Sequence, residues 1–312
     1  MNSFIMYTVL NTAAVITLAP LYMSLIKKVK AWMQLRKGPP LLQTYYNTLK
    51  LLRKEIVYSS NASWIMRAAP YLNIACLLTA SLFVPLVFIA QPIFGFGNIL
   101  LFLYLLALAK FFMALGGLDA ASTFGGMGSS REMSISSIIE PVTILIFSAL
   151  AFSFGTMNFF GLFASTSALF LSQATIGLLL LSLALFLVLI TESARVPVDN
   201  PETHLELTMV HEAMILEQSG SNLALMELSS AIKQLLLMTI LINILVPFGL
   251  TTSLTVAAIG IGLALFLVKS SVLAIIIGIF ESSLVKLRLF RLPQLFSIAF
   301  FLALITILLE VL

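Results

Sequence analysis

Cysteine occurs once and histidine twice in this chain of 312 residues. A single thiol, Cys76, closes no internal disulfide and holds no iron–sulfur cluster, so redox chemistry belongs to another chain. Neither H-E-x-x-H nor a Cys/His set with metal spacing is present, and no metal site is assigned. Charge is equally scarce. Only 10% of residues are Asp, Glu, Lys or Arg, against about 25% in a soluble domain. With 60% hydrophobic residues and a mean hydropathy of +1.10, the composition excludes a water-soluble globule and predicts an integral membrane protein with several spans. No basic stretch precedes the first apolar run, so no cleaved signal peptide is expected. Inverted internal repeats, common in secondary transporters, are missing too. The net charge of +4 reads as membrane topology and gives no reason to invoke nucleic acid.

What is present is hydrocarbon in blocks. Eight apolar segments lie near 3–26, 70–90, 98–115, 134–155, 168–191, 228–249, 253–280 and 294–312. Each is long enough to cross a core about 30 Å thick as a helix. The expected fold is an all-α polytopic membrane protein with about eight transmembrane helices. It forms a single transmembrane domain over 1–312, with loops near 27–67, 116–133, 192–227 and 281–293. The basic residues of the first loop run from Lys27 to Arg67, and Arg131, Arg195, Lys286, Arg288 and Arg291 fall on the same side. The opposite loops, 91–97, 156–167 and 250–252, carry no charge. The positive-inside rule makes the charged side cytoplasmic and puts both termini outside.

The charges that remain are concentrated. Between Thr191 and Gly220 the chain places six of its 13 acids, Glu192, Asp199, Glu202, Glu206, Glu212 and Glu217, and both histidines, His204 and His211. Carboxylates beside hydrocarbon are costly and point to proton or ion handling. Glu202 and Glu206 form a like-charge i,i+4 pair on the helix expected after Pro201, which favours partial protonation near neutral pH. The plain alternative is a solvated acidic loop. Glu132 and Glu140, eight apart, share a helix face at the start of the fourth span. Two cations stand inside spans. Lys110 lies toward the end of the third, and Lys269 lies near mid-span, where it needs a carboxylate partner or a water path.

The loops are less specific. After Gly38-Pro39-Pro40, the residues Leu41, Leu42, Tyr45, Leu49 and Leu52 recur at helical spacing. They predict an amphipathic helix for the interface or for docking a soluble partner. The Gly/Ser-rich stretch 116–132 has no Lys-Ser/Thr after its glycines, so it is no P-loop. It reads as a connector, with glycines that allow close backbone approach.

Taken in order, a set of short motifs resembles a known family. They are Arg36-Lys37-Gly38-Pro39, Leu42-Gln43, Leu49-Lys50-Leu51 and Gly117-Leu118-Asp119. Gly128-x-x-Arg131-Glu132, Glu140-Pro141 and Glu192 with Arg195-x-Pro197-x-Asp199 follow. Glu206-Leu207, Glu217 before Ser219-Gly220, and Phe290-Arg291 with Gln294 complete the set. The chain resembles subunit 1 of respiratory complex I, the NADH–quinone oxidoreductase. It is more similar still to subunit 4 of hydrogenase-4 and formate hydrogenlyase complexes. Gln218, Pro293 and the stretch around His204 and His211 depart from the complex I pattern and favour the hydrogenase branch.

The resemblance implies a non-catalytic anchor and coupling subunit in a prokaryotic cytoplasmic membrane, with no cofactor of its own. Fe–S clusters and NiFe would reside in partner subunits. The partners implied are hydrogenase-like large and small subunits, an Fe–S subunit and antiporter-like membrane subunits. Glu132, Glu140, Glu192, Asp199, Glu202, Glu206, Glu212, Glu217 and Lys269 are carried over as the proton or ion relay. Arg36, Lys37, Asp119, Arg131, Arg195 and Arg291 are carried over as contacts to the soluble arm. A quinone-site subunit of complex I is the alternative, and a stand-alone secondary transporter is a weaker one.

Overall fold

The computed structural model describes residues 2–89, 96–172, 176–200, 209–251 and 255–311. Those residues form eleven α-helices: α1 Asn2–Met33, α2 Gln43–Leu52, α3 Trp64–Ser81, α4 Ile99–Asp119, α5 Thr123–Phe154, α6 Phe159–Ser172, α7 Ile176–Glu192, α8 His211–Ile215, α9 Gly220–Leu245, α10 Val256–Ser283 and α11 Leu292–Val311. By length and composition α1, α4, α5, α9, α10 and α11 are able to cross a membrane. The shorter α3 and α7, of 18 and 17 residues, occupy the other two expected spans. The segment 156–167, expected as an uncharged loop, is largely helical. It belongs to α6, whose Phe159, Phe160, Leu162 and Phe163 are buried.

α9 is the central helix. From Ala231 to Ile244 every residue is buried, Lys233, Gln234 and Asn243 included, as expected for a helix enclosed by others. α1, α3, α7 and α10 pack around it, and α11 packs against α5 and α7. The amphipathic helix expected after Pro40 is α2. It rests on α1 and α9 with Tyr46, Leu49 and Leu52 exposed.

The charged connections gather at one end. Asp119 at the close of α4 accepts the backbone N–H groups of Ser63 and Met66, both at 2.9 Å, and so holds the start of α3. Ser219 accepts Val57 N–H at 2.8 Å, and Pro197 O accepts Leu287 N–H at 2.8 Å.

The stretch expected as a connector at 116–133 is almost wholly helical, which corrects the sequence reading. Ser122 caps α5, its Oγ accepting Gly125 N–H at 3.0 Å. Glycine disfavours helix, but close packing overrides that here. A Cβ on Gly125 would stand 2.3 Å from Gly117 O, so α4 and α5 meet backbone to backbone.

At the other end α3 stops at Ser81 and α9 at Leu245. The extended segments that follow them pair with each other: Ile89 N–H bonds Thr251 O at 2.9 Å, and Thr251 N–H bonds Val87 O at 2.9 Å. Irregular backbone at this depth must be satisfied by the protein itself. Buried Asn11 does so, its amide donating to Ser81 O at 2.7 Å and accepting Leu86 N–H at 3.1 Å.

Candidate functional site

Four helices bring four charged side chains into one row. Glu140 on α5 lies 3.8 Å from Lys110 on α4. Lys110 donates to Glu192, the last residue of α7, at 2.8 Å. Lys233 on α9 stands 3.6 Å from the other oxygen of Glu192. Lys110 and Glu192 are 5% and 6% exposed at their side chains, whereas Glu140 is 42% exposed. The row therefore starts deep in the bundle and opens sideways. Pro141 follows Glu140 inside α5 and removes one backbone hydrogen bond beside it. Half-buried Glu132, two turns earlier on α5, lies within electrostatic reach of Lys110 and Lys233.

An open cavity of about 440 Å³ borders Lys110 and Glu140 beside Phe111 and Met133, and two others reach Glu192 and Lys233. One of about 170 Å³ lies between α4 and α5, with Lys110, Glu140 and Glu192 among its walls and Tyr104, Leu103 and Leu237 facing them. The other, about 10 Å³, is lined by Lys110, Lys233, His211 and Asn73. It is the size of a single water.

Past that small cavity the chain reaches the charged end. His211 is buried. Burial first, and then the Lys233 ammonium, hold its imidazole below the usual range, so it is neutral near pH 7. Its backbone N–H and that of Val210 donate to Asp199 Oδ2 at 3.0 and 3.3 Å. Lys286 pairs with the other Asp199 oxygen at 2.5 Å. Asp199 thus ties the start of α8 to the stretch between α10 and α11.

A second buried cluster adjoins the first across α9. Glu281 accepts from Lys30 at 3.3 Å and from Arg195 at 3.2 Å, and Arg195 also donates to Gln234 at 2.9 Å. Gln234 directly follows Lys233.

The expected relay residues are therefore brought together in part. Glu132, Glu140, Glu192, Asp199 and half-buried Glu212 line or adjoin the path from the charged end to the lateral cavity. Glu217 is exposed and stands apart. Glu202, His204 and Glu206 lie outside the described residues. Lys269 is a correction. Among the described residues no carboxylate approaches its ammonium within salt-bridge distance, and backbone carbonyls hold it instead.

Of the expected surface contacts, Arg36, Lys37 and Arg291 are exposed. Arg131 donates to Met209 O at 2.8 Å, and Asp119 is engaged in holding α3. Arg195 is corrected. It is 3% exposed and turned inward onto Glu281, so its guanidinium meets no outside partner. Lys233 was missed in the sequence, although it stands five residues inside the expected span 228–249 and gives the same intramembrane-cation signal as Lys110.

Comparison with known proteins is consistent along the whole chain. A family model described as NADH dehydrogenase matches residues 5–311. Formate hydrogenlyase subunit 4 of Escherichia coli (strain K12) is 29% identical over 290 residues, covering 93% of each chain. Hydrogenase-4 component C of the same organism is 28% identical over 287 residues, 91% of this chain and 89% of that one. The H subunit of NADH-quinone oxidoreductase from Rubrobacter xylanophilus (strain DSM 9941 / JCM 11954 / NBRC 16129 / PRD-1) is 27% identical over 238 residues, 73% of this chain and 68% of that one. The fold matches a chain in the structure of the membrane-bound sulfane sulfur reductase, an archaeal respiratory membrane complex. The TM-score is 0.78, with 18% identity and coverage of 98% of this chain and 99% of that one.

Proposed function

We propose, from the premise that this chain belongs to the NADH dehydrogenase family, that it is the anchor and coupling subunit of a hydrogenase-4 or formate hydrogenlyase type of complex. It is a multi-pass membrane protein, and its relatives are named as parts of formate hydrogenlyase, hydrogenase-4 and NADH-quinone oxidoreductase. The coupling role is the finer reading. It rests above all on the row Glu140–Lys110–Glu192–Lys233, which runs from the charged end to a lateral opening. Burying ions costs several kcal/mol each, and apolar replacements of equal volume are often as stable. A chain that keeps such a row between helices uses it.

In this reading the charged end faces the cytoplasm and carries the soluble arm, with Arg36, Lys37 and Arg291 at the contact. The arm's subunits hold the Fe–S and NiFe centres. A change of charge there alters the 193–219 segment, with Glu202 and Glu206 as further members. Neutral His211 accepts a proton next to Lys233, and the carboxylates of the row redistribute theirs. Half-exposed Glu140 passes the change sideways to an antiporter-like neighbour that moves H+ or Na+.

The test is Glu140→Gln in the native complex. Electron transfer by the soluble arm should stay near wild type. Ion movement per electron should fall on the order of tenfold or more, well within what one positioned proton-transfer group contributes. Wild-type ion movement in this variant would remove Glu140 from the path. Purification of the complex with metal analysis separates this reading from a quinone-site role. Nickel and iron support it, and NADH-oxidising flavin subunits with bound quinone overturn it.

A further inference from the structure

Lys269 is the 14th of 28 residues in α10, so its side chain springs from midway along an apolar span, and it is half-buried. Three oxygens surround it: Asn243 Oδ1 at 3.1 Å, Val246 O at 3.0 Å and Phe248 O at 2.8 Å. None of them is a carboxylate. The two carbonyls follow the end of α9, where backbone oxygens have no partner within the helix and the dipole is negative. Asn243 is fully buried, and its own amide is fixed by donating to Pro85 O at 3.2 Å. That bond turns Oδ1 toward the lysine and anchors the cage to the extended segment after α3. A neutral cage of backbone and amide oxygens at membrane depth is the kind of site that strips and holds a small monovalent cation.

We propose that Asn243 Oδ1, Val246 O and Phe248 O form a monovalent-cation site, and that the chain fills it with its own Lys269 ammonium. The site has one positive charge, three donors and three acceptors, so all are matched. The tethered ammonium joins α9 to α10 and keeps free cations off these oxygens. This assignment is independent of the carboxylate row and of the coupling role.

The experiment uses the full complex in detergent, reading the thermal midpoint of this chain at a series of cation concentrations. Lys269→Ala empties the cage and should lower the midpoint on the order of 5 °C. Methylammonium, ammonium and K+, matched in size to the group removed, should restore most of the loss saturably, with Na+ and Li+ weaker. Lys269→Met fills the space with an apolar chain and should be equally unstable but unresponsive. A wild-type midpoint in Lys269→Ala overturns the proposal, as does a cation response no larger than that of the unmodified chain. Asn243→Ala keeps the lysine and removes one oxygen. It should lower the midpoint with no cation response, and an unchanged midpoint there also overturns the proposal, even if Lys269→Ala does not fold.

Discussion

Replacing Glu192 with Gln removes one negative charge from the centre of the buried row and almost no volume. The amide still offers Lys110 an acceptor where the carboxylate stood at 2.8 Å, but not a counter-charge. Two other carboxylates stay near Lys110: Glu140, 3.8 Å away and partly open, and Glu132 within electrostatic reach. Lys233 loses the attraction of the oxygen at 3.6 Å. At an effective dielectric near 20 the two attractions amount to roughly 6 and 5 kcal/mol before desolvation. Desolvation of the ions offsets much of that. Removing one member of a buried pair nevertheless costs about 3–5 kcal/mol, because the partner charge is left uncompensated. Lys110→Met should cost a similar amount by stranding Glu192 and Glu140. The double variant Lys110→Met/Glu192→Gln leaves fewer orphan charges, so its loss should fall short of the sum by about 2–3 kcal/mol. The assay is the thermal midpoint of this chain in the purified complex. At about 2–4 °C per kcal/mol, each single variant shifts it by roughly 6–20 °C. A shift below about 2 °C for Glu192→Gln, or additivity of the pair within about 0.5 kcal/mol, would refute the idea that the row is one interacting unit.

The helix packing and the pH response give two further tests. Gly125→Ala puts a Cβ 2.3 Å from Gly117 O and should destabilise by about 1–3 kcal/mol or more. Gly126→Ala, whose Cβ meets nothing within 4 Å, should instead stabilise by about 0.5–1 kcal/mol, and equal midpoints for the two would sink the close-approach argument. Folded His211 binds its proton more weakly than the unfolded imidazole, whose value is about 6.5. Its contribution is therefore complete above that pH and is lost as pH falls from about 6.5 toward the depressed folded value, by at most about 1.4 kcal/mol per unit. Between pH 7.5 and 5.5 the midpoint of His211→Gln should fall less than that of the wild type, and parallel curves would contradict the burial assignment.

Much of the architecture was legible because hydrocarbon has few alternatives. Spans, the amphipathic α2 and the shared face of Glu132 and Glu140 all follow from composition and helical spacing. The misses have a common physical origin. Arg195 reads as a loop cation until Glu281, 86 residues later, is found opposite it. Lys269 reads as a cation in need of a carboxylate or a water path because any residue can supply a carbonyl, and only the fold brings the two after α9 to it. Gly116–Gly128 reads as a connector because glycine weakens helices, yet at a helix crossing the missing Cβ is what permits the approach. Lys233 is different. The signal was visible and lay inside an expected span.

Asp199 is fully paired, with Lys286 and three backbone donors. The row around Lys110 is built otherwise. Three carboxylates, Glu132, Glu140 and Glu192, stand around two ammoniums, Lys110 and Lys233. Among the described residues, with neutral His211 beside them, the carboxylates of this cluster outnumber its ammoniums by one. Glu192 Oε2 places one carboxylate oxygen in the interior, 3.6 Å from the Lys233 ammonium. Glu140 places another at the lateral cavity. An excess of carboxylate that reaches from the buried centre to the open rim at Glu140 is the feature on which the proposed proton path rests.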